Sequence, residues 1–529
     1  MTDVEQMLAQ VAESYNTMPY ESHAFKWCSP AYIRAAAYLY GVDLPAVQYA
    51  RVLEIGCAAG GNSLPFAFMY PDADIVAIDI AEAQIAEGQR IVKQAQLKNI
   101  SLKNMSMTEL PNDLEPFDYV IAHGVLSWIP KQTQTQIFRV VEQSLGSNGG
   151  AYISFNTYPG WRARESLRDL MLWHSRGIED LQDKVDRARE VIPFLAEGVS
   201  PHNLLQAAKE YLAAQLPDCE SQDYYLAHEY LELHNHPLYL VQMTALAEQA
   251  NLRYVGDAQP KIECPESYQL TENKEFLTLQ SSAKHAIAQQ QYLDFAVGRS
   301  FRKSLLTSNR HSQEAFNKPD FSRLADLLFA GSFEAFATKK EGVKKYRVYD
   351  KNIKVKCAKI QAMLALLHQS WPRPVSGRDL LRVAEGAKQE HVRTEDALKQ
   401  LFMLFPLEMS RSYEDLPACL QDLYSGLIPG AATIMAARYK EKSSIAEFNA
   451  WYSSSTAKVN KTDLFVVETL EATKSPLRAA DTLEQAWRQN SYLPSSIKLR
   501  KKIAKNPEKY ALRYVQRVID RLHKYAMYI

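Results

Sequence analysis

Between Arg51 and Asn62 the chain reads RVLEIGCAAGGN. A short apolar run breaks into a turn almost stripped of side chains, and one carboxylate, Glu54, stands inside the run. A glycine-rich turn directly after a strand lets the backbone approach a ligand and opens a helix whose N-terminus faces it. The alternation then continues: NSLPFAFMY fits a helix, ADIVAIDI a strand, AEAQIAEGQRIVKQAQL a helix and ISLKNMS a strand. FDYVIAHG is a fourth strand, TQTQIFRVVEQSLG a helix and GGAYISFN a fifth strand. Strands alternating with helices require right-handed crossovers, so the expected class is α/β, a doubly wound sheet with helices on both faces.

After NTYPGW the pattern changes. ARESLRDLMLWHSRG, DKVDRAREVIPFLAEG and PHNLLQAAKEYLAAQL are helical in character, and PLYLVQMTALAEQANLRYVGDAQP returns to helix followed by strand. The sheet is therefore expected to resume after a helical insertion. TLQSSAKHAIAQQQYLDFAVGRSFRKSLL reads as a helical stretch leading out. Residues 357–405 give three amphipathic helices, which resemble a winged-helix region and are equally compatible with a three-helix bundle. The last hundred residues are helical in pattern, with SSSTAKVNKTD as a loop. The expected division is a core over 1–162, a helical insertion with return to the sheet over 163–265, a middle region over 266–416 and a C-terminal domain over 417–529.

Composition bounds the function. No apolar run approaches the roughly 18 residues that a membrane span needs. The N-terminus has acids where a secretory signal would be basic. Six cysteines are scattered without a CxxC pair, which suggests neither a disulfide framework nor a metal site. The cytoplasm is the expected compartment. The net charge of zero hides an asymmetry: residues 1–160 hold 9 Lys/Arg against 16 Asp/Glu, and the balancing basic excess gathers around Lys339–Lys359 and from Lys498 onward. Such runs are usually solvated faces, otherwise surfaces for an acidic partner or nucleic acid.

The glycine turn has the spacing Gly56-x-x-x-Gly60-Gly61, so the dinucleotide pattern G-x-G-x-x-G is absent. Glu54 inside a strand is costly unless it is hydrogen-bonded or reaches a site. Asp79 ends the second strand, where an acid can accept both hydroxyls of a ribose. An acid there, with a glycine turn after the first strand, describes an adenosyl pocket, with room for an amino-acid tail rather than a pyrophosphate. A plain strand–turn–helix with small residues for packing is the alternative.

This combination resembles the class I S-adenosylmethionine-dependent methyltransferases, whose first motif is E-x-G-x-x-x-G. The resemblance implies that Gly56, Cys57 and Gly60 line the methionine portion through backbone contacts, with Glu54 beneath the turn. It implies Asp79 on the ribose and Ile80 against the adenine, with Tyr20, Asn62 and His123 counted among the cofactor contacts. The family often places an acid after the third strand; NMSMTELP offers Ser106 and Met107 instead, so adenine is expected to meet Ser106 or backbone polar groups and to pack on Met107.

The segment after the fourth strand narrows the acceptor. AHGVLSWIP lacks the N/D-P-P-Y/F motif of enzymes that methylate nucleobase amines. SYNTMPYESHAF, RVLEIGCAAGGNSLPFAF, HGVLSWIP and FNTYPGW together resemble the bacterial methyltransferases that carry a methyltransferase regulatory domain. HEYLELHNHPLYLVQMTALAEQANLRYVGDA is similar to that regulatory segment, and YLDFAVGRSFRKSLL to its exit helix. Members include protein-lysine methyltransferases that modify outer-membrane proteins in rickettsiae. The resemblance thus implies a protein substrate (an outer-membrane protein before export among the candidates) and a homodimer formed through the helical insertion.

For such chemistry the aromatics Tyr15, Tyr20, Trp128, Tyr158 and Trp161 are expected around the cofactor mouth. Asn156, at the tip of the fifth strand, is expected to accept a hydrogen bond from the amine, and His123 to contact the cofactor or shuttle a proton. Trp128 and Trp161 could equally be core, His123-Gly124 a turn, and Asn156 a loop cap. A small-molecule or O-methyltransferase on the same core is the second reading. A nucleic-acid-binding regulator is a remote third, because Glu395 and Asp396 would face phosphates in HVRTEDALKQLFMLF.

Overall fold

The computed structural model describes residues 3–111, 113–200, 205, 223–338, 340–348, 351–387, 392–421, 425–439, 444–452, 454–494 and 496–529. The expected helix PHNLLQAAKEYLAAQL lies, apart from Leu205, outside the described residues.

Seven strands form the central sheet: β1 (Arg51–Ile55), β2 (Asp74–Asp79), β3 (Ile100–Asn104), β4 (Phe117–Ala122), β5 (Leu145–Asn156), β6 (Leu252–Asp257) and β7 (Phe301–Ser308), in the order β3-β2-β1-β4-β5-β7-β6. The first five are parallel; β7 runs antiparallel to both β5 and β6. Parallel strands are buried on both faces and read as continuous apolar runs, which is the character of RVLEI and VAI. One face is covered by α2 (Pro30–Leu39), α3 (Ser63–Met69) and α4 (Glu82–Ala95), the other by α5 (Gln134–Ser144) and the helix Leu240–Gln249. In α5 the buried Ile137, Phe138 and Val141 follow the helical period and seat it on the second face.

Two elements differ from the sequence reading. FRKSLL, expected as helix, is strand β7. The preceding helix Ala286–Val297 ends on Gly298 in the left-handed region at φ +61°, a conformation open to glycine and one that stops a helix. The core sheet therefore takes in residues 301–308, which the expected division placed in the middle region. SSSTAKVNKTD, expected as a loop, contains the strand Ser454–Lys458, paired antiparallel with Ser444–Phe448, and the helix Lys461–Thr473 begins before its end. Pairing with a partner that periodicity cannot identify decides such a short polar strand.

Residues 357–405 form the expected three helices, Ala358–Ser370, Gly377–Glu385 and Thr394–Leu404. They pack with a small antiparallel sheet of Leu328–Ala330, Val375–Ser376 and Glu408–Ser410, with Leu328–Ala330 in the middle. Their apolar faces share one core with the α2–α4 side of the sheet, continuous through Leu328, Met363, Leu401 and on to Met435 and Trp487. Among the described residues no helix is long and apolar enough to cross a membrane.

Candidate cofactor and methyl-transfer site

The carboxyl ends of β1, β2, β4 and β5 open into a cavity of about 440 Å³. It is roofed by α1 (Asp3–Thr17) and by residues 223–229, and it also receives β7.

The turn after β1 is built for close approach. Gly56 has φ +72°, and a Cβ there would run into Val125 Cγ2. Gly60 is also left-handed at φ +80°, and its Cβ would meet Leu64 Cγ at 3.0 Å, so Gly60 serves helix packing beneath the turn. Gly56 and Ala58 line the cavity, whereas Cys57 and Gly60 do not. Cys57 is buried, and its amide, like that of Gly56, donates to Ile78 O. The expected backbone contacts of Cys57 and Gly60 with the cofactor are therefore not placed at the cavity.

Glu54 lies beneath the turn, buried, accepting from Asn62 Nδ2 at 2.9 Å and from the Ser63 hydroxyl. Burial pushes its carboxyl up to about 7 against the pull of those two donors. Asn62 Oδ1 in turn accepts the Phe25 amide at 2.8 Å. Asn62 thus ties the strap of residues 20–25 to the turn and does not line the cavity.

Asp79 lines the cavity at the tip of β2. Its Oδ2 accepts the Ala58 amide at 2.8 Å and its Oδ1 the Ala81 amide at 2.9 Å. Burial raises its pKa, and the amides oppose that rise. Ile80, Met105, Ser106 and Met107 continue the wall. The Ser106 hydroxyl caps a short turn, meeting Thr108 Oγ1 at 2.9 Å and the Thr108 amide at 3.3 Å.

His123, at the tip of β4, lies against Phe25 with centroids 4.3 Å apart and the rings tilted by 34°, and its Nδ1 lies 3.0 Å from the Tyr152 hydroxyl. Burial drives its pKa down to about 3, helped by the positive charge of Lys303. Its imidazole is neutral at physiological pH. Tyr15 and Tyr20 both line the cavity, Tyr15 stacked on His228 at 4.3 Å.

Asn156 lines the cavity too. Its backbone amide is fixed by Ser127 Oγ at 2.9 Å, while its side-chain Nδ2 is buried without a hydrogen-bond partner. A buried polar group without a protein partner in a cavity wall is available to a ligand or a water. Trp128 lines the cavity with Trp161 edge-on behind it at 6.3 Å, so Trp161 supports the wall from the core. Tyr158 does not reach the site: its hydroxyl donates to Glu165, its ring lies 3.8 Å under the Arg162 guanidinium, and it faces Tyr239. The chain past Asn156 turns outward because Thr157 is bonded to Ser300 O and Leu238 O.

Sequence reasoning missed Phe25, Trp27, Arg164, His228, Glu229, Phe301 and Lys303, all of which line the cavity. Phe301 and Lys303 were hidden by the helical reading of β7; FRKSLL has no apolar–polar alternation to mark it as a strand.

A methyltransferase-domain model matches residues 52–149, and a model described as a predicted methyltransferase regulatory domain matches residues 222–308. The chain belongs to the class I S-adenosylmethionine-dependent methyltransferases that carry this regulatory domain. Among curated relatives it is similar to the uncharacterized protein RP028 of Rickettsia prowazekii, 32% identical over 240 residues that take in 44% of this chain and 94% of that one. It is also similar to RP789 of the same organism, 34% identical over 302 residues, covering 56% of this chain; the chain spans only about half (52%) of that relative's length. Among solved structures it shares its fold with PKMT2 from Rickettsia typhi in complex with AdoHcy, at 21% identity and TM-score 0.77, over 96% of this chain and 100% of the other.

S-adenosylmethionine is the cofactor of that class, and the cavity suits it: an acid at the β2 tip for the sugar, an apolar wall of Ile80 and Met107 for the base, and the side-chain-free Gly56 below.

Proposed function

We propose that the protein transfers methyl groups to lysine side chains of protein substrates. When bound, S-adenosylmethionine supplies an electrophilic methyl group. The rest falls to this chain's residues.

Asp79 would hold the ribose, with Tyr20 above and Ile80 and Met107 against the adenine. A free lysine amine titrates near ~10.4, so presenting it neutral at pH 7 costs roughly 4–5 kcal/mol. Trp128, Tyr15, Phe25 and Phe301 line the cavity. Their rings exclude water, which disfavours the ammonium form, yet tolerate a cationic product through their faces. Glu229 also lines the cavity, its carboxyl held above the ordinary range by burial, and it is the lining carboxylate available to take the ammonium proton. The Asn156 side chain, fixed through its backbone, would accept an amine N–H through its Oδ1 and so leave the lone pair aimed at the methyl group. Alignment then supplies most of the acceleration.

One observation favours a polypeptide over a small acceptor. Trp27 lines the methyl-transfer cavity and also two clefts of about 390 and 460 Å³ between the strap and the middle region, walled by Lys26, Val348 and Pro406. A chain lying in those clefts would have a side-chain route past Trp27. The wider expectations belong to this proposal: a homodimer in the cytoplasm acting on an outer-membrane protein before export.

The test is incubation with methyl-labelled S-adenosylmethionine and fractionated lysate, followed by mass spectrometry of labelled bands. Heavier lysines in a labelled protein support the reading. Label appearing only in small metabolites refutes it in favour of a small-molecule methyltransferase.

A further inference from the structure

The glycine turn is short of donors for the acidic end of its ligand. The amides of Gly56 and Cys57 donate to Ile78 O, that of Ala58 to Asp79 Oδ2, that of Gly60 to Cys57 O, and that of Gly61 to Ser22 Oγ. Helix α3 begins at Ser63 and is only seven residues long. The two turn residues that line the cavity, Gly56 and Ala58, therefore have no free amide to offer the carboxylate of an amino-acid tail.

The cavity holds two cations, Arg164 and Lys303. Arg164 lies over the Trp161 ring at 4.7 Å and is attracted by Glu229. Lys303 is different. It is 8% exposed, and its ammonium lies 4.8 Å from the Trp27 ring centroid and 5.3 Å from that of Phe301. Among the described residues its Nζ makes no hydrogen bond and no ion pair of 4 Å or less. Asp257 attracts it, but that carboxylate is already engaged, Oδ2 by the Lys303 backbone amide and Oδ1 by the Gln259 amide, each at 2.9 Å. Arg299 and Arg302 repel it. Burial therefore lowers its pKa, since a buried ammonium is costly unless paired, and the side chain faces a cavity whose ligand brings a carboxylate able to hold it charged.

Its register places it well. Lys303 pairs with Ser154 across β5–β7, and the Ser154 hydroxyl bonds both the Gly124 amide and His123 Nδ1. Lys303 therefore stands beside the β4 tip, with Phe25 and Trp27. Asp79, Met105 and Met107 occupy the β2 and β3 ends.

We propose that Lys303 is the carboxylate receptor of the cofactor's methionine tail, so that β7, which falls within the regulatory-domain match at residues 222–308, contributes directly to cofactor binding. This role for Lys303 rests on the cofactor reading above, and the two can fail separately.

The experiment is calorimetry with three ligands: S-adenosylhomocysteine, its carboxyl methyl ester, and methylthioadenosine, which lacks the amino-acid tail. The wild-type chain is expected to bind S-adenosylhomocysteine about 10- to 100-fold more tightly than the ester, the range of a charge-assisted hydrogen bond. In Lys303→Met that discrimination disappears, while affinity for methylthioadenosine stays within about twofold, which also reports a folded pocket. Lys303→Arg retains part of the discrimination and serves alone if the methionine variant does not fold. Discrimination that persists in Lys303→Met, or is absent from the wild-type chain, overturns the assignment of Lys303. Failure of the wild-type chain to bind any of the three would instead overturn the cofactor reading.

Discussion

Asp79 Oδ2 accepts the Ala58 amide at 2.8 Å, which locks the tip of the second strand to the turn after the first. The same carboxylate receives the Ala81 amide through its other oxygen. It therefore fixes the two strand ends on which the cofactor would lie while presenting an acceptor to the cavity.

Substituting Asp79→Asn replaces one acceptor by a donor facing an amide, so turn geometry and sugar contact fail together. Affinity for S-adenosylhomocysteine is expected to fall at least about tenfold, the loss of one hydrogen bond to a charged group. Titration calorimetry reads it, and unchanged affinity would remove Asp79 from the site.

Asn156→Ala removes the carboxamide, whose Nδ2 has no protein partner, and leaves the backbone bond to Ser127 Oγ in place. Turnover should drop about 100-fold or more, as when a positioning hydrogen bond is lost, with cofactor affinity nearly unchanged. Steady-state kinetics paired with a binding isotherm separates the two.

Glu54 gives a pH signature. Its folded pKa of about 7 exceeds the ordinary 4.5, so between those values the native state binds the extra proton and stability falls as pH rises. At about 1.4 kcal/mol per pKa unit, roughly 3 kcal/mol is at stake. Glu54→Gln should therefore gain thermal midpoint relative to the wild-type chain as pH goes from 5 to 8. A constant difference across that range would contradict the prediction.

His123 titrates near 3 rather than 6.5. Below pH 6.5 the unfolded state binds a proton that the folded state refuses, so this group costs stability as pH falls. Its ring signals should show no titration between pH 5 and 8 by NMR, and any limb of the rate profile near 6.5 would belong to another group.

Gly61 is not in the left-handed region, yet a Cβ there would stand 2.5 Å from His23 O and 2.6 Å from Ser22 Oγ. Gly61→Ala must push the strap away from the turn. Destabilisation of about 1–3 kcal/mol is expected, as for overpacking. Weaker cofactor binding should accompany it, because Tyr20 and Phe25 line the cavity.

Much of this was legible before the structure. The short apolar runs and period-3.6 segments alternating after Arg51 identify the parallel part of the sheet, because fully buried strands and amphipathic helices leave strong patterns. Asp79 and Gly56 follow from motif spacing. Cys57 and Gly60 are in the same motif yet face packing, since spacing does not tell which turn atoms look outward. Asn62 and Glu54 form a polar support below the turn rather than a lining, a distinction made by partners far along the chain. Lys303 was concealed because β5 pairs with a strand, β7, more than 140 residues beyond Asn156, and no local pattern announces that pairing. Tyr158 illustrates the converse: an aromatic next to a strand tip turned outward by Thr157 and its contact with Leu238.

The central claim is that a sulfonium nucleoside occupies the ends of β1 and β2. Calorimetry of the folded chain with S-adenosylhomocysteine tests it most directly: saturable heat at one ligand per chain, diminished in Asp79→Asn, is predicted, and no heat from correctly folded protein would contradict it.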